Sequence, residues 1–106
     1  MICDENDEIR LLMKEMLTKH GYFHLMEAHS SAEVVQYLSQ DQFLVIHKNL
    51  LNDHLKKVIS QRENFLIIAQ NDDAETVNLA ATFGVKHMMS FPYSSKSLVA
   101  KINSLL

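Results

Sequence analysis

The stretch FLVIHKNLLNDHL, residues 43–55, opens with four apolar residues and then places His47, Lys48 and Asn49 where a buried strand must surface. A short continuous apolar run of this kind is the pattern of a parallel strand covered on both faces. Downstream, NDHLKKVIS at 52–60 has helical spacing, and NFLIIAQ at 64–70 repeats the apolar run. Strand, helix and strand in that order predict a βαβ unit with a right-handed crossover.

The same alternation extends in both directions. Ile9, Leu12, Met13, Met16 and Leu17 recur at spacings of three and four, predicting a first helix over 7–20 that stops at Gly21. YFHLMEAH at 22–29 reads as a strand. Ser30 can cap the next helix while Glu33 closes a capping box, with Val34, Val35 and Leu38 buried. A fourth helix is predicted from about Asp72 to Phe83, begun by Asp72 with Glu75 three residues on and ended by Gly84. VKHMMSF then makes a fifth strand, and Leu98, Val99, Ile102, Leu105 and Leu106 line a last helix. The first strand, before CDEND, is so short that two or three residues look to be missing ahead of Met1. Five strands alternating with five helices predict a doubly wound α/β sandwich, and such sheets bind ligands beyond the carboxyl ends of their strands. Three segments lie there: CDEND, HKN and AQN. None is glycine-rich, which argues against a dinucleotide or P-loop site.

At 106 residues, 47% hydrophobic and 22% charged, residues 1–106 suit a single domain with one core. A net charge of -3 gives no reason to expect nucleic acid, whose backbone demands clustered Lys and Arg. The charge is uneven: residues 1–53 carry 9 acids and 4 bases, residues 54–106 carry 4 acids and 6 bases, which predicts one acidic end. With Cys3 the only cysteine, and no signal-peptide pattern or membrane-length apolar run, a reducing cytoplasm and no membrane contact are the expectation.

The chain resembles the receiver domain of two-component response regulators, the flavodoxin-like phosphoacceptor module, over essentially all of its length. CDENDEIR is similar to the family's acidic pair, helix start and arginine. AATFGVKHMMSFPY resembles its alanine-glycine-alanine turn, fifth strand and lysine-proline-phenylalanine ending. The resemblance implies a sheet order of 2-1-3-4-5 and a cis peptide at Phe91-Pro92. It also implies a phosphoryl chemistry with five working groups: a strand-three carboxylate that attacks phosphorus, an acidic pair that with it holds Mg²⁺, a hydroxyl after strand four and a lysine after strand five. Carried across, the acidic pair falls on Asp4 and Glu5, but the acceptor falls on His47, the hydroxyl on Ala69 and the lysine on Phe91. An imidazole cannot form an acyl phosphate and is a poor partner for Mg²⁺. A slip of one residue would bring Lys48 to the acceptor place, with the same result. The family's aromatic switch residue falls on Met88.

The expectation is therefore a pseudo-receiver: not an enzyme and without a required cofactor, a phosphorylation-independent module for binding a protein partner or output domain, or for homodimerisation. Receivers use helix 4, strand 5 and helix 5 for this, which points to Val77, Ala81, Met88, Ser90 and Lys101. On helix 4, Thr76, Leu79, Ala80 and Phe83 should face the sheet, leaving Ala74, Val77 and Ala81 as a second stripe; a helix buried all round is the alternative. Three readings stay open at the acceptor place. His47 can be a histidine half buried at the strand end and hydrogen-bonded to Asp4 or Glu5. It can join Asp4 and Glu5 in holding a softer metal such as Zn²⁺, or be phosphorylated itself. Asp4 and Glu5 alone leave room for a weakly held divalent cation such as Mg²⁺, while acids here also suit a helix start. His20, His24, His29, His54 and His87 show no paired ligand spacing and read as surface or strand positions.

Overall fold

The computed structural model describes residues 1–70 and 73–106. Its strands are β1 Ile2–Cys3, β2 Glu27–Ala28, β3 Leu44–His47, β4 Phe65–Ala69 and β5 Met88–Ser90, all paired in parallel in the order β2-β1-β3-β4-β5. Between and after them run α1 Asp7–Lys19, α2 Ser31–Tyr37, α3 Asp53–Ser60, α4 Ala74–Phe83 and α5 Ser95–Leu105. This is the expected flavodoxin-like three-layer sandwich.

Side-chain alternation along the central strands divides the core in two. Leu44, Ile46, Phe65 and Ile67 point to one face, where Val34, Leu55, Ile59 and Leu79 of α2, α3 and α4 cover them. Val45, Leu66 and Ile68 point to the other, against Met13, Leu17, Leu98 and Ile102 of α1 and α5. Both faces of β3 and β4 are covered, which is why those strands read as unbroken apolar runs.

Each helix begins on a polar cap. The Asn6 side chain accepts from the Glu8 and Ile9 amides, Ser30 from Glu33, Asn52 from Leu55, Asp73 from Thr76 and Ser94 from Ser97. The expected start of the fourth helix at Asp72 lies outside the described residues; the cap of α4 is Asp73. Glu33 reaches back to the His29 amide rather than to Ser30.

Several expectations need correction. The strand expected over 22–29 is only Glu27–Ala28, because β1 offers two residues to pair with; ahead of it His24 takes a left-handed φ of 61. The fifth strand is Met88–Ser90, since Gly84, at φ 95, leads into a 3₁₀ turn over Val85–His87. His87 is accordingly a buried turn residue, stacked on Phe65 at 4.0 Å and bonded through Nδ1 to the Phe65 carbonyl. Val35 and Leu106 are exposed, not buried. No described helix is long and apolar enough to cross a membrane.

Candidate functional site at the carboxyl ends of the strands

The carboxyl ends of β1, β3 and β4 carry Asp4, His47 and Ala69. Asp4 directly follows β1; its amide bonds the Ala28 carbonyl and its side chain is buried. Its Oδ1 accepts from the Asn6 amide at 2.9 Å, and Arg10 Nη1 grips its carbonyl at 2.7 Å. Arg10 also pairs with Asp7 and approaches Glu27, so it ties the β1 end to α1 and β2. Glu5 is exposed, with Oε1 3.4 Å from the Asn49 amide nitrogen Nδ2.

His47 ends β3 and is buried, not half buried. Its Nδ1 accepts from the backbone amide of Asn49 at 3.1 Å. That bond places the proton of the neutral ring on Nε2. The expected bond to Asp4 or Glu5 is replaced by this local turn, which winds residues Lys48–Leu50 into a 3₁₀ turn. Among the described residues no three His, Cys, Asp or Glu side chains gather as a metal set, so the Asp4, Glu5 and His47 cage is not assembled. These residues also fit Mg²⁺ poorly. One Asp4 oxygen is committed to a backbone amide, Glu5 points to solvent, and the third position is a nitrogen where this ion takes oxygen.

Lys48 is the residue whose role the sequence reading missed. Its side chain is 7% exposed, and Nζ donates to Asp73 Oδ2 at 2.7 Å, with Glu75 Oε2 at 4.0 Å. The other oxygen of Asp73 accepts from the Thr76 amide and hydroxyl, at 2.9 and 2.8 Å. The Lys48 ammonium foremost, then these two Thr76 donors, hold the Asp73 carboxyl well below the usual range. A carboxylate with an ammonium beside it thus does sit near the strand ends. It belongs to the cap of α4, however, and both its oxygens are engaged. The legible signal was Asp73 three residues before Thr76, together with a lysine two positions after a buried apolar run.

The two remaining positions that the resemblance implies, Ala69 and Phe91, hold no polar side chain. Ala69 is buried, and its carbonyl accepts from the Phe91 amide at 2.7 Å. Phe91, joined to Pro92 by a cis peptide, packs on the α1 and α5 side of the core, with its ring 5.5 Å from that of Tyr93 and nearly perpendicular to it. Burial, and secondarily the Asp4 charge, pushes the Tyr93 phenol up to about 12.

Of the expected interaction face, Val77, Ala81 and Ser90 are exposed and Met88 is half buried on the core. Thr76 and Leu79 are buried on the opposite side of α4, so the stripe of Ala74, Val77 and Ala81 is open to solvent. A hollow of about 230 Å³ between α4 and β5 is lined by Ala69, Thr76, Val77, Val85, Met88 and Ser90 among others. Lys101 stands apart on α5 and does not line it. Val85, 77% exposed at the rim, was not singled out from sequence because it falls where a strand was expected. In comparisons with known proteins, the chain matches no family model and no curated protein.

Proposed function

We propose that this chain is a pseudo-receiver: a receiver-like module that binds a protein partner, or a second copy, without being phosphorylated. The observation that carries the reading is His47, an imidazole committed to the Asn49 amide at the one position where the chemistry needs a free carboxylate oxygen. Supporting it, Ala69 offers a methyl where a hydroxyl would sense the transferred charge, and Phe91 is half buried, packed against the core, where an ammonium would neutralise it. With Met88 in the aromatic switch position, the moving parts of a phosphorylation-driven transition are absent from both ends.

Binding then falls to the α4 and β5 face. Val77, Ala81 and Val85 leave apolar surface around the hollow above Met88, and α4 is held in place by the Lys48 and Asp73 pair without any phosphoryl group. The buried thiol of Cys3 suits a reducing cytoplasm.

The test is titration with Mg²⁺ and beryllofluoride, then acetyl phosphate, followed by amide shifts and intact mass. No adduct and no shifts at residues 47–49 or 69 are expected. A stoichiometric adduct at the strand ends overturns the reading. Val77→Asp is expected to weaken partner binding or dimerisation through this face by at least tenfold while leaving the fold intact.

A further inference from the structure

We propose a second interface, distinct from the α4 and β5 face: α1 of one copy seats in the groove between α3 and α4 of the next, so that copies associate head to tail. The groove has a volume of about 540 Å³; Leu79 and Phe83 form its apolar floor, with Lys56, Lys57 and Ser60 on the α3 wall and Glu75 on the α4 wall. Glu75 lies 4.0 Å from the Lys48 ammonium, so its charge is partly answered from within. Neither Lys56 nor Lys57 has an acidic partner among the described residues. A neighbouring hollow that shares Ser60, Thr82 and Phe83 adds Arg62 and Lys86 against Glu63, and continues the positive character of the groove.

What fits is a helix with apolar residues at its centre and acids flanking them, and this chain displays one. On α1, Glu8, Leu11, Leu12 and Glu15 share the solvent face, with Leu11 and Leu12 56% and 40% exposed. Their spacing of three, four and seven is that of a helix laid in a groove. Glu8 and Glu15 also lack a basic partner among the described residues. Leu11 and Leu12 against the half-buried ring of Phe83, with Glu8 and Glu15 toward Lys56 and Lys57, satisfies both surfaces at once.

Placement sets the form of the assembly. The α1 helix covers one face of the sheet and the groove lies on the other. A copy cannot fill its own groove, and two copies cannot exchange helices about a two-fold axis. The contact is heterologous, so copies add head to tail past the dimer as concentration rises, into a ring where the rotation closes and an open chain where it does not.

Sedimentation velocity over a concentration series tests this. The mass of the unmodified protein is expected to rise without a plateau at the dimer and to fall back at about 1 M salt, where the Debye length is about 3 Å. Lys56→Glu with Lys57→Glu, and separately Glu8→Lys with Glu15→Lys, each abolish growth, while an equimolar mixture of the two variants restores it. Circular dichroism checks that these changes, three at exposed residues and one at the half-buried Lys56, leave the fold intact, and growth is expected to persist in Val77→Asp, which separates this interface from the α4 and β5 face. A protein that stays monomeric to about 1 mM, the weak end of measurable affinity, overturns the proposal, as does one that stops at a dimer or grows equally well with either pair reversed. A monomeric protein whose groove binds an unrelated acidic helical peptide overturns it in favour of a foreign partner.

Discussion

A buried ammonium needs a counter-charge, and Lys48 finds one in Asp73 at 2.7 Å. Because the folded carboxyl is held below its ordinary value of about 3.9, the folded state binds fewer protons there than the unfolded chain. The stabilisation is therefore fully present above about pH 4 and drains away as the pH falls below that, toward the folded value. Lys48→Met keeps the aliphatic stem and removes the charge. In urea titrations it is expected to be less stable than the unmodified protein at pH 7, with the gap narrowing below about pH 4; a gap that does not change with pH would show that packing, not the ion pair, is what Lys48 contributes. Phe91 gives the opposite case, an apolar group at the position where the receiver resemblance implies a cation. Phe91→Lys, which installs the ammonium of the receiver family, withdraws a ring from Tyr93 and the α1 and α5 core. It is expected to lower stability by up to about 1.5–3 kcal/mol, the value for burying such a side chain. Thermal unfolding of the variant measures it. At this scale the positions of Asp4, His47 and Ala69 were legible, because strand ends follow directly from apolar runs. The Lys48 and Asp73 pair was not, since it depends on the reach of a side chain between two loops that are 25 residues apart in sequence.

Each of the five helices starts on a side-chain cap. Asn6 alone satisfies two amides that α1 would leave unpaired, those of Glu8 and Ile9, at 2.9 and 3.1 Å. Asn6→Ala is expected to cost about 0.5–2 kcal/mol, and Asn6→Asp, which keeps the acceptor oxygen, to cost little; urea unfolding of the pair separates the cap from the backbone. All five strands and five helices were legible, since continuous apolar runs and helical spacing are local signals. Their ends were not. YFHL at 22–25 has strand composition but no ladder to join, because β1 is only two residues long and its first amide, that of Ile2, is already met by the Met26 carbonyl. VKH at 85–87 likewise has strand composition, yet it follows Gly84 at φ 95 and turns before it can pair. Helical spacing predicts a stripe but not its width or its end, and so Val35, one position beyond the buried arc, and Leu106, past the last residue of α5, were placed inside.

Over the whole molecule, the shortness of β1 and of its neighbour β2, two residues each, raises the question of whether β1 opens by itself. Cys3 provides a probe. It sits in β1, between β2 and β3, packed in the same cluster as Ala28, Val34 and Ile46, and it is 2% exposed. Burial, the largest cause, pushes its thiol up to about 12, so the native protein presents almost no reactive thiolate near pH 8. Reaction with a thiol reagent then waits for an opening event. Because β1 pairs on both edges and Cys3 shares its contacts with α2 and β3, freeing it breaks the core that holds α2, α3 and α4 to the sheet. The expected outcome is labelling at least about 10³-fold slower than in the unfolded chain, in line with a domain stability of roughly 5 kcal/mol or more. Its logarithm should rise with urea along the slope of global unfolding. Labelling that is fast and insensitive to low urea would mean that β1 and β2 detach as a separate unit, leaving β3, β4 and β5 as the cooperative body that carries the α4 face.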